Sequence, residues 1–127
     1  MTRVLLIGVG GFAGSVLRCW VSGLAQDAAR DSLFPWGTLA VNLLGCLAIG
    51  ALAQLAEARG AFSAETRLLL ATGLLGGFTT FSAFGNETLN LLRDAERGLA
   101  AANVLANVIL GLACVHLGRV AAYLVWR

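Results

Sequence analysis

Gly73-Leu74-Leu75-Gly76-Gly77-Phe78-Thr79-Thr80-Phe81-Ser82-Ala83-Phe84 is the stretch whose reading decides the fold. It lies in the middle of an apolar segment running from about Leu68 to Leu92, close to the ~20 residues that cross a bilayer. Two adjacent glycines and two adjacent β-branched threonines favour a break in a helix at this point. A break frees backbone carbonyls at membrane depth. They are tolerated there only when buried in protein, lining a cavity or holding an ion. Half-helix ends with unwound carbonyls are one way of coordinating a monovalent cation. The hydroxyls of Thr79, Thr80 and Ser82 add hydrogen-bond donors. Phe81 and Phe84 are three apart and point to similar sides. An aromatic edge carries positive charge density, so two such edges can face an anion.

Working outward, three further apolar stretches flank this one, at about residues 4–25, 34–56 and 99–125. The first is interrupted by Arg18 and the second contains no charge. Most charged residues fall in the short connections: Asp27, Arg30 and Asp31; Glu57, Arg59, Glu65 and Arg67; Arg93, Asp94, Glu96 and Arg97. Together with 68–92, the stretches predict an all-α integral membrane protein. It forms one four-helix transmembrane domain over residues 1–127, with the third helix broken mid-membrane.

Composition agrees. The chain has 127 residues, of which 58% are hydrophobic and 13% charged, against roughly 25% charged in an average soluble domain. Its mean hydropathy is +0.81. A soluble domain this small needs more polar surface than the chain can supply, which argues against a soluble enzyme. No nucleophile–base pair or metal-ligand spacing is visible either. All nine basic residues are Arg, and they are scattered. There is therefore no polybasic tract for nucleic acid or acidic lipid. Cys19, Cys46 and Cys114 are far apart in apolar sequence and read as small buried residues.

Two patterns near the N-terminus mislead. Met1-Thr2-Arg3 and the apolar run after it imitate a secretory signal peptide, but three more spans follow. Gly8-Val9-Gly10-Gly11-Phe12-Ala13 imitates a dinucleotide-binding loop, but no alternation of strands and helices follows. Gly10 and Gly14 fit better as a face that lets two membrane helices approach closely. Gly73 and Gly77 repeat the spacing.

Four spans place Arg3, Arg59, Arg67, Arg119 and Arg127 on one side and Arg18, Arg30, Arg93 and Arg97 on the other. Five against four is almost no bias under the positive-inside rule. A small protein without bias is free to insert both ways and to form an antiparallel, isologous dimer.

Other polar residues inside the spans should face protein or water. Thr38 and Asn42 share one helix face. Asn42 supplies either an interhelical hydrogen bond or donors for a ligand. Asn103, Asn107, Gly111 and Gly118 share a face of the fourth span, which suits packing joined by amides. His116 lies off that face. Glu87 fits a pore mouth or an interfacial cap. Arg18 fits snorkelling to the interface or the gathering of anions in a vestibule.

Three segments carry a resemblance: Gly10-Gly11-Phe12-Ala13-Gly14-Ser15-Val16-Leu17-Arg18, Pro35-Trp36-Gly37-Thr38-Leu39-Ala40-Val41-Asn42, and the opening stretch Gly73–Phe84. The chain resembles the Fluc (CrcB-type) fluoride channels over essentially its whole length. The resemblance implies a dual-topology antiparallel homodimer exporting fluoride through two narrow pores. Its location would be the bacterial inner (cytoplasmic) membrane. It implies a structural sodium ion at the dimer centre, held by backbone carbonyls at Gly76 and Thr79. The pore-facing positions would be Asn42, Phe81 and Phe84, with Thr80, Ser82 and Asn107 nearby, and Arg18 and Glu87 near the vestibules. Where the family often has a pore-facing hydroxyl on the fourth span, this chain has Gly111, with Asn107 one turn before. The alternatives are a small four-helix, proton-coupled exporter of the multidrug type and a pore-less assembly subunit. The exporter needs an acid mid-membrane; the first span has none, and Glu87 lies near an end of the third.

Overall fold

The structure is a computed structural model and describes residues 1–60 and 62–126. Arg127 and the Arg59 side chain, both counted in the charge balance, lie outside the described residues. The first two spans are unbroken helices, α1 (Thr2–Ala28) and α2 (Trp36–Arg59). The third is composite. It starts as α3 (Ala64–Arg67), widens into a π-helical segment (Leu68–Leu75), closes with α4 (Gly76–Phe78), stops, and resumes as α5 (Phe81–Arg93). The fourth runs through α6 (Arg97–Leu105), a second π-helical segment (Ala106–Leu110) and α7 (Gly111–Val125). No strand occurs among the described residues. Four helical stretches are long and apolar enough to cross a membrane: Thr2–Ala28, Trp36–Ala58, Ala64–Arg93 and Arg97–Val125.

These stretches differ by a few residues from the expected 4–25, 34–56, 68–92 and 99–125. Hydropathy marks the part of a helix that suits lipid. Backbone hydrogen bonding continues beyond it into polar residues such as Asp27 and Glu57. At the other ends, Ser63 fixes the start of α3 by accepting a hydrogen bond from Thr66 N at 3.1 Å, an ordinary N-cap. Gln26 organises the link between α1 and α2. Its Nε2 donates to the Ser32 and Phe34 carbonyls at 3.4 and 3.3 Å, and its Oε1 accepts from Gly37 N at 3.2 Å.

Glycine decides how the spans pack. A Cβ on Gly10 or Gly14 would collide with the backbone of Leu69 or Leu74. Conversely, a Cβ on Gly73 would lie 3.0 Å from Gly10 Cα, and one on Gly77 2.5 Å from the Gly11 carbonyl. The first half of the third span therefore lies backbone-to-backbone on α1, as the repeated four-residue spacing suggested. A second seam joins α2 to α7, where a Cβ on Gly50 or Gly118 would strike the Val115 or Leu47 carbonyl. Without a hydrophobic drive between helices in lipid, such close van der Waals contact is the main association force. Gly14→Ala is expected to force the seam open and destabilise the protein by about 1–3 kcal/mol, the usual cost of overpacking. A thermal melt of the purified variant in detergent measures this.

Only one ion pair is recorded among the described residues, Arg119 with Glu57, bridging α7 and α2 at one end of the bundle. Both side chains are well exposed, so the pair adds at most about 1 kcal/mol. The cysteines depart from the expected burial. Cys19 is exposed on α1, and Cys46 and Cys114 are half-buried. In a membrane bundle an outward face meets lipid, which accepts a thiol as readily as a core does.

Candidate functional site

The break is two residues long. Thr79 (φ −81°, ψ 159°) and Thr80 (φ −150°, ψ 107°) are both extended. Thr80 caps the resumed helix, its Oγ1 accepting from Ala83 N at 3.2 Å. Thr79 still closes the first half, with N and Oγ1 donating to the Leu75 carbonyl at 3.0 and 3.1 Å. Gly45 of α2 makes room for the break, since a Cβ there would meet Thr79 Cγ2. The sequence signal of paired glycines and paired threonines thus marks a real interruption, centred on the threonines.

Asn42 holds the break from α2. Its Oδ1 accepts from Thr80 N at 2.9 Å, and its Nδ2 donates to the Thr80 carbonyl at 3.3 Å. The same Nδ2 donates to Asn107 Oδ1 at 2.9 Å. Both readings offered for Asn42 meet here: it is an interhelical bond, and it borders the cleft. Asn107 Nδ2 donates in turn to the carbonyl and Oδ1 of Asn103, at 3.0 and 2.9 Å. Asn103, 0% exposed, donates to Thr88 Oγ1 at 2.9 Å. Thr88 Oγ1 donates to the Phe84 carbonyl at 2.8 Å. No sequence motif marks Thr88. Its one available signal was a hydroxyl four residues after Phe84 on a helix.

An open cleft of about 400 Å³ lies beside the break, lined among others by Asn42, Gly76, Thr79, Thr80, Phe81, Phe84 and Asn107. The Phe81 and Phe84 ring centroids are 5.3 Å apart, and the planes are tilted by 53°. Phe84 is buried at 8% exposure, whereas Phe81 stands out at 82%. Thr80 and Ser82 hydroxyls are 3.3 Å apart. Only one hydrogen fits between them, so one of the two O–H groups is left over for a ligand. No Asp, Glu, His, Lys or Arg is found among the described residues that line this cleft. What the arrangement offers is neutral polar groups and two aromatic rings.

Glu87 Oε1 accepts from Thr38 Oγ1 at 2.6 Å. It also borders a smaller cavity of about 210 Å³ with Asn90, Asp94 and Glu96, near the end of the third span. Arg18 turns inward, its guanidinium reaching the Thr79 carbonyl at 3.4 Å. His116 is exposed and stands apart from these groups. Gly111 is buried against Cys46, whose Sγ would lie 3.5 Å from a Cβ.

The carbonyls of Gly76 and Thr79 suit a monovalent cation in kind. The helical donor for the Gly76 carbonyl would be Thr80 N, which is turned to Asn42 instead. The Thr79 carbonyl has two lone pairs, and the Arg18 contact uses one. Neutral unwound carbonyls are the donors that hold Na⁺ between half-helices. Two oxygens from one chain do not complete a coordination shell, so such an ion needs a second chain.

A four-span bundle, interrupted mid-course around uncharged donors, defines a small polytopic membrane protein. The chain belongs to the CrcB-like protein family, Camphor Resistance (CrcB), whose model matches residues 5–119. It is similar to a protein of Methylobacillus flagellatus named fluoride-specific ion channel FluC, 49% identical over 93% of this chain and 92% of that one. A FluC protein of Opitutus terrae is 47% identical, with 96% and 93% covered. FluC 1 of Methanosarcina acetivorans is 43% identical, with 96% and 92% covered. The relatives are named as channels, a non-enzymatic class.

Proposed function

We propose that the chain is a passive, fluoride-selective channel that exports fluoride across the inner (cytoplasmic) membrane of a bacterium and so relieves fluoride toxicity. It works as an antiparallel homodimer with two pores. The observation carrying this reading is the cleft at the break, whose lining offers hydroxyls, amides and Phe edges without a charged side chain. Fluoride is small, strongly hydrated and a strong acceptor. A pore for it must replace water with donors, yet avoid a full positive charge that would trap the ion. The spare hydroxyl of Thr80 and Ser82 and the edges of Phe81 and Phe84 meet that need. Asn42 borders the path and, keeping its bond to Asn107, turns the Nδ2 hydrogen of its longer 3.3 Å contact with the Thr80 carbonyl to the passing anion. Glu87 lies towards a vestibule, while Arg18 reaches inward to the Thr79 carbonyl. The names of the relatives support the channel over the exporter.

The carbonyls of Gly76 and Thr79 from both subunits would hold a central Na⁺. Its charge would offset repulsion between the halves and fix the broken helices in place. Complete exchange of Na⁺ for a large organic cation is expected to weaken the dimer, read by gel filtration in detergent. An unchanged dimer and unchanged flux would remove the central site.

The deciding experiment is efflux from liposomes holding the purified protein, followed with fluoride and chloride electrodes in parallel. Fast fluoride loss without chloride loss is the expected result. Loss of neither ion from a folded dimer would overturn the channel reading.

A further inference from the structure

Both ends of the amide chain beside the cleft are fixed by the backbone. At one end, Thr80 N–H can only donate, so the Asn42 atom facing it at 2.9 Å is Oδ1. Asn42 Nδ2 must then face Asn107, whose Oδ1 accepts at 2.9 Å. At the other end, the Phe84 carbonyl can only accept, so Thr88 spends its hydrogen there at 2.8 Å. Thr88 then offers Asn103 only lone pairs, which forces Asn103 Nδ2 towards it at 2.9 Å. Asn103 Oδ1 is thereby left for Asn107 Nδ2, also at 2.9 Å. The two ends fix the direction independently, and they agree.

One consequence concerns anions. Each of the three side-chain carbonyls accepts from the next donor: Asn42 from Thr80 N, Asn107 from Asn42, and Asn103 from Asn107. A bare amide oxygen beside an anion path would repel the anion. The relay covers all three. Reversing one amide would set two acceptors or two donors face to face, and a buried polar group without a partner is costly.

We infer that Thr88 and Asn103 are positioning residues that set the direction of the Thr80–Asn42–Asn107–Asn103–Thr88 relay and so keep amide oxygens off the fluoride path. Neither residue needs to touch the ion. Thr88 acts through Asn103, and Asn103 through Asn107 and Asn42. The inference rests on the fluoride-channel reading.

Thr88→Val tests it, because it keeps the side-chain shape and removes only the hydroxyl. Fluoride efflux from liposomes is expected to fall about tenfold, or about 1.4 kcal/mol on the barrier, with the folded protein intact. Thr88→Ser restores the hydroxyl and is expected to conduct within about twofold of the unmodified protein, as the hydroxyl again bonds the carbonyl four residues back. In ¹⁵N-asparagine-labelled protein, the side-chain amide signals of Asn42 and Asn107 are expected to shift in Thr88→Val, although the hydroxyl of Thr88 is bonded to Phe84 and Asn103 and to neither of them. A merely structural role would leave these signals in place and would not be rescued by Ser alone. Should Thr88→Val fail to fold, Thr88→Cys, with its weak donor and acceptor, is expected to conduct at an intermediate rate. Unmodified protein that fails to conduct fluoride overturns the channel reading. Conducting unmodified protein, together with a Thr88→Val (or, in its stead, Thr88→Cys) variant at the same rate, overturns the relay. Unshifted asparagine signals, or Ser as slow as Val, do so as well.

Discussion

Asn42→Asp is expected to lower fluoride flux on the order of a thousandfold while leaving the folded protein intact. Oδ1 can still accept from Thr80 N. The other oxygen replaces an N–H₂ group that donates to the Thr80 carbonyl and to Asn107 Oδ1. Two attractive contacts become repulsive, and a negative charge is placed beside an anion path. Two like charges 4 Å apart at an effective dielectric constant near 20 repel by about 4 kcal/mol, roughly a thousandfold in rate. Electrode-monitored efflux checks the rate, and gel filtration checks the assembly. Undiminished flux from this variant would remove Asn42 from the path.

Phe81→Ile should slow fluoride at least about tenfold. The change keeps apolar bulk and removes the ring edge. Phe81 has few neighbours within its own chain, at 82% exposed. Its substitution therefore costs little stability there, and a loss of flux reports on the ring itself. The tilted contact with Phe84 at 5.3 Å is also lost, and such pairs contribute about 0.5–1.5 kcal/mol beyond their buried area. The same liposome assay reads this variant, and normal conduction would separate the ring pair from permeation.

Much of this architecture was legible before any coordinates. Four spans follow from where charge is missing, since lipid admits little else. The break followed from Gly76-Gly77 and Thr79-Thr80, and the α1 seam from the four-residue glycine spacing. The π-helical segments Leu68–Leu75 and Ala106–Leu110 were not legible. Shifting a helical hydrogen bond from four residues to five leaves composition and hydropathy unchanged. Asn103 reads as part of a packed face, but its partner on α5 is hidden. A pairing across 15 residues depends on how two spans meet, which no local pattern records. Arg18 reads two ways for a similar reason. Its reach to Thr79 depends on α1 lying against α4, the short helix ahead of the break.

The glycine seam has one more consequence. The two halves of the third span are held by different means. The half before the break fits α1 chiefly by shape, and the Arg18 contact with the Thr79 carbonyl, at 3.4 Å, comes only at its very end. The half after it hangs on amides and hydroxyls, for which water is a ready competitor. A wetter surrounding, such as a thinned bilayer or a harsh detergent, therefore attacks the protein from one side. It loosens the anion-facing half while the half clasped to α1 remains seated, so function should fade before the bundle comes apart.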